Sequence, residues 1–173
     1  MNSQIASCAV GIYLSHIFCL ALKIIFFASV SNISFNIVEV SFAFSSESKV
    51  IKWLEQIADD HSAEIKGLSY IFCDDEYLLN INKEYLDHDY YTDIITFPYQ
   101  QGQTLESDIF ISIDRVAENA SNYNVDFETE LRRVIAHGIL HLLGYKDKTT
   151  EEQEEMKAQE DKCLSLWQAS YHK

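Results

Sequence analysis

The chain has 173 residues, 47% of them hydrophobic, with 10 Tyr and 10 Phe; this excludes a disordered polymer and suffices for one domain with a real core. One Pro and five Gly leave little material for long loops, so regular elements should dominate. A formal net charge of −14 opposes broad contact with a nucleic-acid backbone, so any RNA site must be a local positive patch, with Arg132, Arg133, Lys146, Lys148 and a bound dication as candidates.

Residues 5–30, IASCAVGIYLSHIFCLALKIIFFASV, are nearly all apolar or small and are interrupted only by His16 and Lys23. A helix of about 20 such residues crosses a bilayer. The stretch fits a membrane anchor, a signal segment, or translated upstream sequence that plays no part in the fold. It lacks a basic n-region and a clean A-x-A cleavage site, and no Met occurs between Met1 and Met156.

Residues 33–44 read as a strand with a break in alternation near Ile37 and Val38. Val50, Ile51, Leu54, Ile57 and Ala58 recur at helical spacing, so residues 47–61 form an amphipathic helix capped by Ser45 or Ser46. Residues 65–73 alternate as a second strand. Asp74 or Asp75 then caps a helix to about Tyr85. Residues 93–97 are a short strand ended by Pro98, and residues 100–106 are a polar loop with Gly102. Residues 108–113 are another strand, and Asp114 starts a helix to about Tyr123. Asp126 caps the next helix, with Glu128 and Glu130 in the first turn, where the dipole favours carboxylates. That helix runs to Leu143 and stops at Gly144. Thr149 and Glu152 form a capping box for a last helix, on which Met156, Cys163, Leu164 and Trp167 make an apolar stripe. Cys8, Cys19, Cys73 and Cys163 include no CxxC pair; they suggest reduced thiols rather than a disulfide scaffold or thiolate metal site. The reading is one α+β domain of four strands and roughly five helices from Ile33 onward, with an apolar, helix-like N-terminal extension.

The chemistry lies in residues 136–148, AHGILHLLGYKDK. His137 and His141 are four apart on one helix and therefore share a face. Gly144 lets the chain turn back, so Asp147 can supply a third ligand. Three protein ligands and an open position are the catalytic arrangement for zinc. The pair sits among Ile135, Ile139, Leu140 and Leu142, and two histidines buried there without a partner would be costly. Gly138 forfeits about 1 kcal/mol of helix propensity, a sacrifice that leaves room above the site. A zinc protease would read H-E-x-x-H, with Glu as general base; Gly138 in that place argues against peptide hydrolysis by the familiar route.

This stretch resembles the YbeY family of bacterial endoribonucleases, the rRNA maturation factors, whose motif is H-G-x-L-H-L-x-G-Y-D-H. His137, Gly138, Leu140, His141, Leu142, Gly144 and Tyr145 match it, and the family's third histidine falls on Asp147. Leu79, Asn80, Tyr85, Asp89 and residues 92–98 resemble a second family block. Asp108, Ile109, Ile111 and Ser112 resemble a third, with Ser107 where Gly is usual. Leu86 stands where the family carries a basic residue, and His88 lies nearby.

The resemblance implies a zincin-like α+β fold with a mixed four-stranded sheet. It implies a domain over residues 33–173 and an extension over residues 1–32 with no counterpart, which favours a start set too far upstream. It also implies a metal-dependent endoribonuclease specific for single-stranded RNA, acting in 16S rRNA 3′-end maturation and ribosome quality control. The expected ion is one divalent cation, zinc in the first instance, held by His137, His141 and Asp147. Arg132, Arg133, Thr92 and Asp93 are candidates to steer RNA or line the cleft beside the activated water, and Asp108 is expected to brace a ligand histidine. The expected partners are rRNA and ribosomal subunits in the cytoplasm, with membrane association only through residues 5–30. The alternatives are a non-catalytic, metal-stabilised ribosome-assembly factor and a membrane-anchored metallopeptidase.

Overall fold

A parallel strand pair needs cover on both faces, and the sequence supplies it by alternating strands with amphipathic helices. The computed structural model describes residues 31–171; the apolar stretch over residues 5–30 lies outside them. Strands β1 (Ile33–Ile37), β2 (Glu64–Cys73), β3 (Ile94–Gln100) and β4 (Thr104–Ser112) form a sheet of order β1-β2-β4-β3. β1 and β4 run parallel to β2, and β3 runs antiparallel to β4. The sheet is therefore mixed, as expected. Among the described residues no helix is long and apolar enough to cross a membrane.

Side chains alternate across the central strands. Leu68, Tyr70 and Phe72 of β2, with Ile109 and Ile111 of β4, face the larger core. That core is closed by helices α1 (Glu47–Asp60), α4 (Phe127–Leu142) and α5 (Thr150–Tyr171), with Val116 of α3 (Ile113–Tyr123) at its margin. Cys73, Ile95, Phe97 and Phe110 face the other way and are covered by Leu78 of α2 (Asp75–Leu86). Trp53 of α1 donates its indole N–H to the Cys163 carbonyl of α5 at 2.8 Å, so two helices of the larger core are also pinned by a buried polar contact.

Three expectations are corrected. β1 stops at Ile37; beyond it Glu39 takes φ 57°, and the Phe42 and Phe44 rings fold back onto Phe72. Pro98 does not end β3, which continues to Gln100. β3 is an edge strand, where a missing N–H need cost no ladder bond. The polar loop shrinks to a hairpin turn at Gly102 (φ 91°), since β4 already starts at Thr104. The tip is tied to the end of α4 by a bond from Gly102 N to Leu142 O of 2.7 Å.

The caps of α4 and α5 are as read, whereas Ser46 makes no side-chain cap bond on α1 and α3 is capped by Ser112 rather than started by Asp114. Asp126 accepts from Thr129 N at 2.8 Å and starts α4. Thr149 and Glu152 bond reciprocally at 3.1 and 3.2 Å and start α5. Gly138 has a different purpose from the one expected. A Cβ there would lie 3.0 Å from Ile94 and 3.2 Å from Ile109. The glycine lets α4 lie close on the sheet, and the space beside it is filled by sheet side chains.

Candidate metal centre

The end of α4 builds the centre. Gly144 takes φ 103°, a conformation that suits glycine. Gly144 N bonds to His141 O at 3.0 Å and Tyr145 N to Leu140 O at 3.1 Å, the paired bonds of a Schellman turn. The turn carries the Tyr145 carbonyl back over the helix end, where it accepts from His141 Nδ1 at 3.0 Å. Behind the other imidazole, Glu160 of α5 accepts from His137 Nδ1 at 2.8 Å. With both Nδ1 atoms engaged as donors, each ring presents the bare Nε2 as its ligand atom.

Those two Nε2 atoms converge on one carboxylate oxygen. Asp147 Oδ2 lies 3.8 Å from His137 Nε2 and 3.6 Å from His141 Nε2. All three ligand atoms lie within 4.8 Å of one another. A tetrahedral ion with bonds of about 2 Å spaces its ligands by roughly 3.3 Å, so small side-chain rotations bring the three into place. Two imidazoles oriented by partners on their far nitrogens, plus one carboxylate, are a fitting donor set for a zinc-like ion. Asp147 is held from behind as well, because Gln153 Nε2 donates to its carbonyl at 2.9 Å.

The electrostatics agree with a cation at this point. Burial pushes the His137 pKa down, but the Glu160 hydrogen bond and charge, with Asp93 and Asp147 behind them, raise it overall. Burial and the neighbouring His137 lower the pKa of His141 despite the Tyr145 carbonyl. The carboxylates around His137 thus favour its protonated form, while His141 beside it is disfavoured from taking a second proton.

The ligands lie in a cleft of about 760 Å³, whose lining includes Thr92, Asp93, His88, Tyr90, Lys146 and Lys148. Asn119 donates to Asp93 Oδ2 at 3.1 Å. Thr92 Oγ1 bonds to the Ile94 carbonyl at 3.3 Å. Both residues named from the sequence therefore reach the cleft, and Leu86 lines it too.

The two arginines have other employment. Arg133 Nη1 bonds to Glu160 Oε2 and to Asp161 Oδ1, each at 3.1 Å, and its Nε lies 3.7 Å from Glu130 Oε2. It backs the carboxylate that orients His137. Arg132 reaches Glu128 at 3.4 Å and lies over the Trp167 ring at 4.9 Å, with its side chain only 12% exposed. Both guanidiniums are thus engaged with side chains of the protein itself.

Asp108 does not brace a histidine. It accepts from the Tyr99 hydroxyl at 2.8 Å, and strand alternation turns it away from the face on which Ile109 meets Gly138 of α4. The brace is Glu160, which the sequence reading missed. Its signal was available: a carboxylate between Met156 and Cys163 on an otherwise apolar helical stripe, buried with them, requires a buried partner.

A family model described as Endoribonuclease YbeY matches residues 32–168. That span contains every element of the centre, from β1 through Glu160. The chain belongs to this family. An Endoribonuclease YbeY of Cytophaga hutchinsonii is 51% identical over 129 residues, covering 74% of this chain and 90% of that protein. An Endoribonuclease YbeY of Flavobacterium johnsoniae is 46% identical over 135 residues, covering 78% and 96%. The solution structure of TM1509 from Thermotoga maritima superposes with a TM-score of 0.60 at 25% identity, covering 80% of this chain and 91% of that one.

Proposed function

We propose that this chain is a metal-dependent endoribonuclease that cleaves single-stranded RNA, with zinc held by His137, His141 and Asp147. The proposed substrate is 16S rRNA at its 3′ end, carried on ribosomal subunits, which would put the reaction in the cytoplasm. The observation that carries the reading is the convergence of His137 Nε2, His141 Nε2 and Asp147 Oδ2 within 4.8 Å in an open cleft. Family membership supplies the reaction class.

A divalent ion there supplies Lewis acidity at a phosphate oxygen and lowers the pKa of water. The chain's own groups do the rest. Lys146 and Lys148 hold backbone phosphates at the cleft. Asp93, whose Oδ2 accepts from Asn119, lines the cleft and takes the proton of the attacking oxygen as that oxygen bonds to phosphorus, while the bond from phosphorus to the leaving oxygen breaks and that oxygen takes a proton from solvent. Glu160 and the Tyr145 carbonyl keep both imidazoles aimed inward throughout. Gly138 after the first histidine leaves no glutamate for the peptidase route.

The test compares metal content and cleavage of single-stranded rRNA fragments, with and without chelator, for the wild type, His141→Ala and Asp147→Ala. The expected result is near-stoichiometric metal and chelator-sensitive cleavage in the wild type, with large losses of both in each variant. Full metal occupancy in Asp147→Ala would remove the third ligand. RNA binding without cleavage in the metal-loaded wild type would replace the enzyme with a binding factor.

A further inference from the structure

One part of the cleft is built of aromatic side chains that the core does not use. The chain leaves α2 through Asp87 in the left-handed region (φ 57°), and the N–H groups of Asp87 and His88 both bond back to Asn82 O. Asn82 is itself buried at 2% exposure, and its Nδ2 donates to Tyr90 O at 2.9 Å. A single buried amide residue therefore fixes both ends of the turn. On it the His88 and Tyr90 rings stack at 5.1 Å with an interplanar angle of 24°. Tyr90 Oη and His88 Nδ1 lie 3.1 Å apart. Tyr90 is nonetheless 58% exposed. The same cleft holds Lys146 and Lys148, whose ammonium groups have no carboxylate partner among the described residues.

A nucleotide has the complementary division, an apolar π-face on the base and charge on the phosphate. We propose that Tyr90, backed by His88, is a base-stacking subsite for the nucleotide beside the cleaved phosphate. This rests on the endoribonuclease reading. The base lies on the tyrosine ring while its phosphates run toward the lysines and the metal ligands. Only an unpaired base offers a free face to such a platform, so the subsite selects single strands by shape. It is tolerant of sequence because every base has a π-face. It also supplies affinity that a chain of charge −14 does not gain from a broad basic surface.

The test uses metal-loaded full-length protein and single-stranded oligoribonucleotides carrying 2-aminopurine next to the cleaved bond. Fluorescence is read by rapid mixing before cleavage, and KM and kcat are measured in parallel. Stacking in the wild type quenches the fluorophore. Tyr90→Ala is expected to lose the quenching and to weaken binding about tenfold, from the usual worth of one stacked base, with the loss in KM rather than kcat. Tyr90→Phe should retain both signals, and an abasic site at that position should erase the difference between wild type and Tyr90→Ala. If the wild type cleaves, and Tyr90→Ala binds and quenches like it, the subsite falls alone. If quenching depends on Tyr90 but the wild type never cleaves, the endoribonuclease reading falls and the subsite beside a cleaved bond falls with it, leaving Tyr90 as a base-stacking contact of an RNA-binding protein.

Discussion

Glu160 is the residue on which the geometry of the centre turns. Its two oxygens serve two masters: Oε1 accepts from His137 and Oε2 from Arg133. A carboxylate this buried is costly unless paired, and Arg133 offsets the cost while leaving Oε1 to fix the imidazole. Glu160→Gln keeps the shape and removes the charge. It should weaken zinc binding by about 10–100-fold, the usual effect of losing such a brace, while the fold persists. A competition titration against a chromophoric chelator reads this directly, and unchanged affinity would show that Glu160 only fills space.

At the scale of elements, α4 bears both histidines, and its seat on the sheet depends on Gly138. Gly138→Ala gains about 1 kcal/mol of helix propensity. It also places a methyl 3.0 Å from Ile94 and 3.2 Å from Ile109, and overpacking of this kind costs about 1–3 kcal/mol. The cost should win by about 1 kcal/mol, seen as a lower urea midpoint with unchanged slope. A higher midpoint would mean that the two isoleucines yield freely. This helix also marks the boundary of what the sequence made legible. Its start at Asp126, its stop at Gly144 and the inward pair His137 and His141 follow from local periodicity and cap chemistry. So does the nearby Asp147, because only a short turn separates it from His141. The continuation of β3 through Pro98, the turning away of Asp108 and the purpose of Gly138 were not legible. Each depends on which strand lies at the edge and which face meets α4, and those facts arise from pairings distant in sequence. Glu160 lies between the two cases, since its burial was readable but its partner, 23 residues upstream, was not.

For the whole molecule, 27 acidic against 13 basic side chains set how RNA is met. On the proposed reading the phosphate contacts would come from the cleft, where two lysines and the ion would make about three, each contributing roughly −0.7 to the salt slope for a single strand. The logarithm of RNA affinity should therefore fall with the logarithm of salt at a slope near −2. Filter binding across a salt series measures it, and a slope several times steeper would demand a basic face elsewhere. The centre also draws on two neighbouring elements, the end of α4 and the turn that leads into α5. His137 and His141 end α4, whereas Asp147 hangs on Gln153 at the head of α5, beside the Thr149–Glu152 cap. An ion gripped by all three is a rivet through the corner where these two helices meet, and pulling it out slackens a joint of the framework as well as silencing the chemistry.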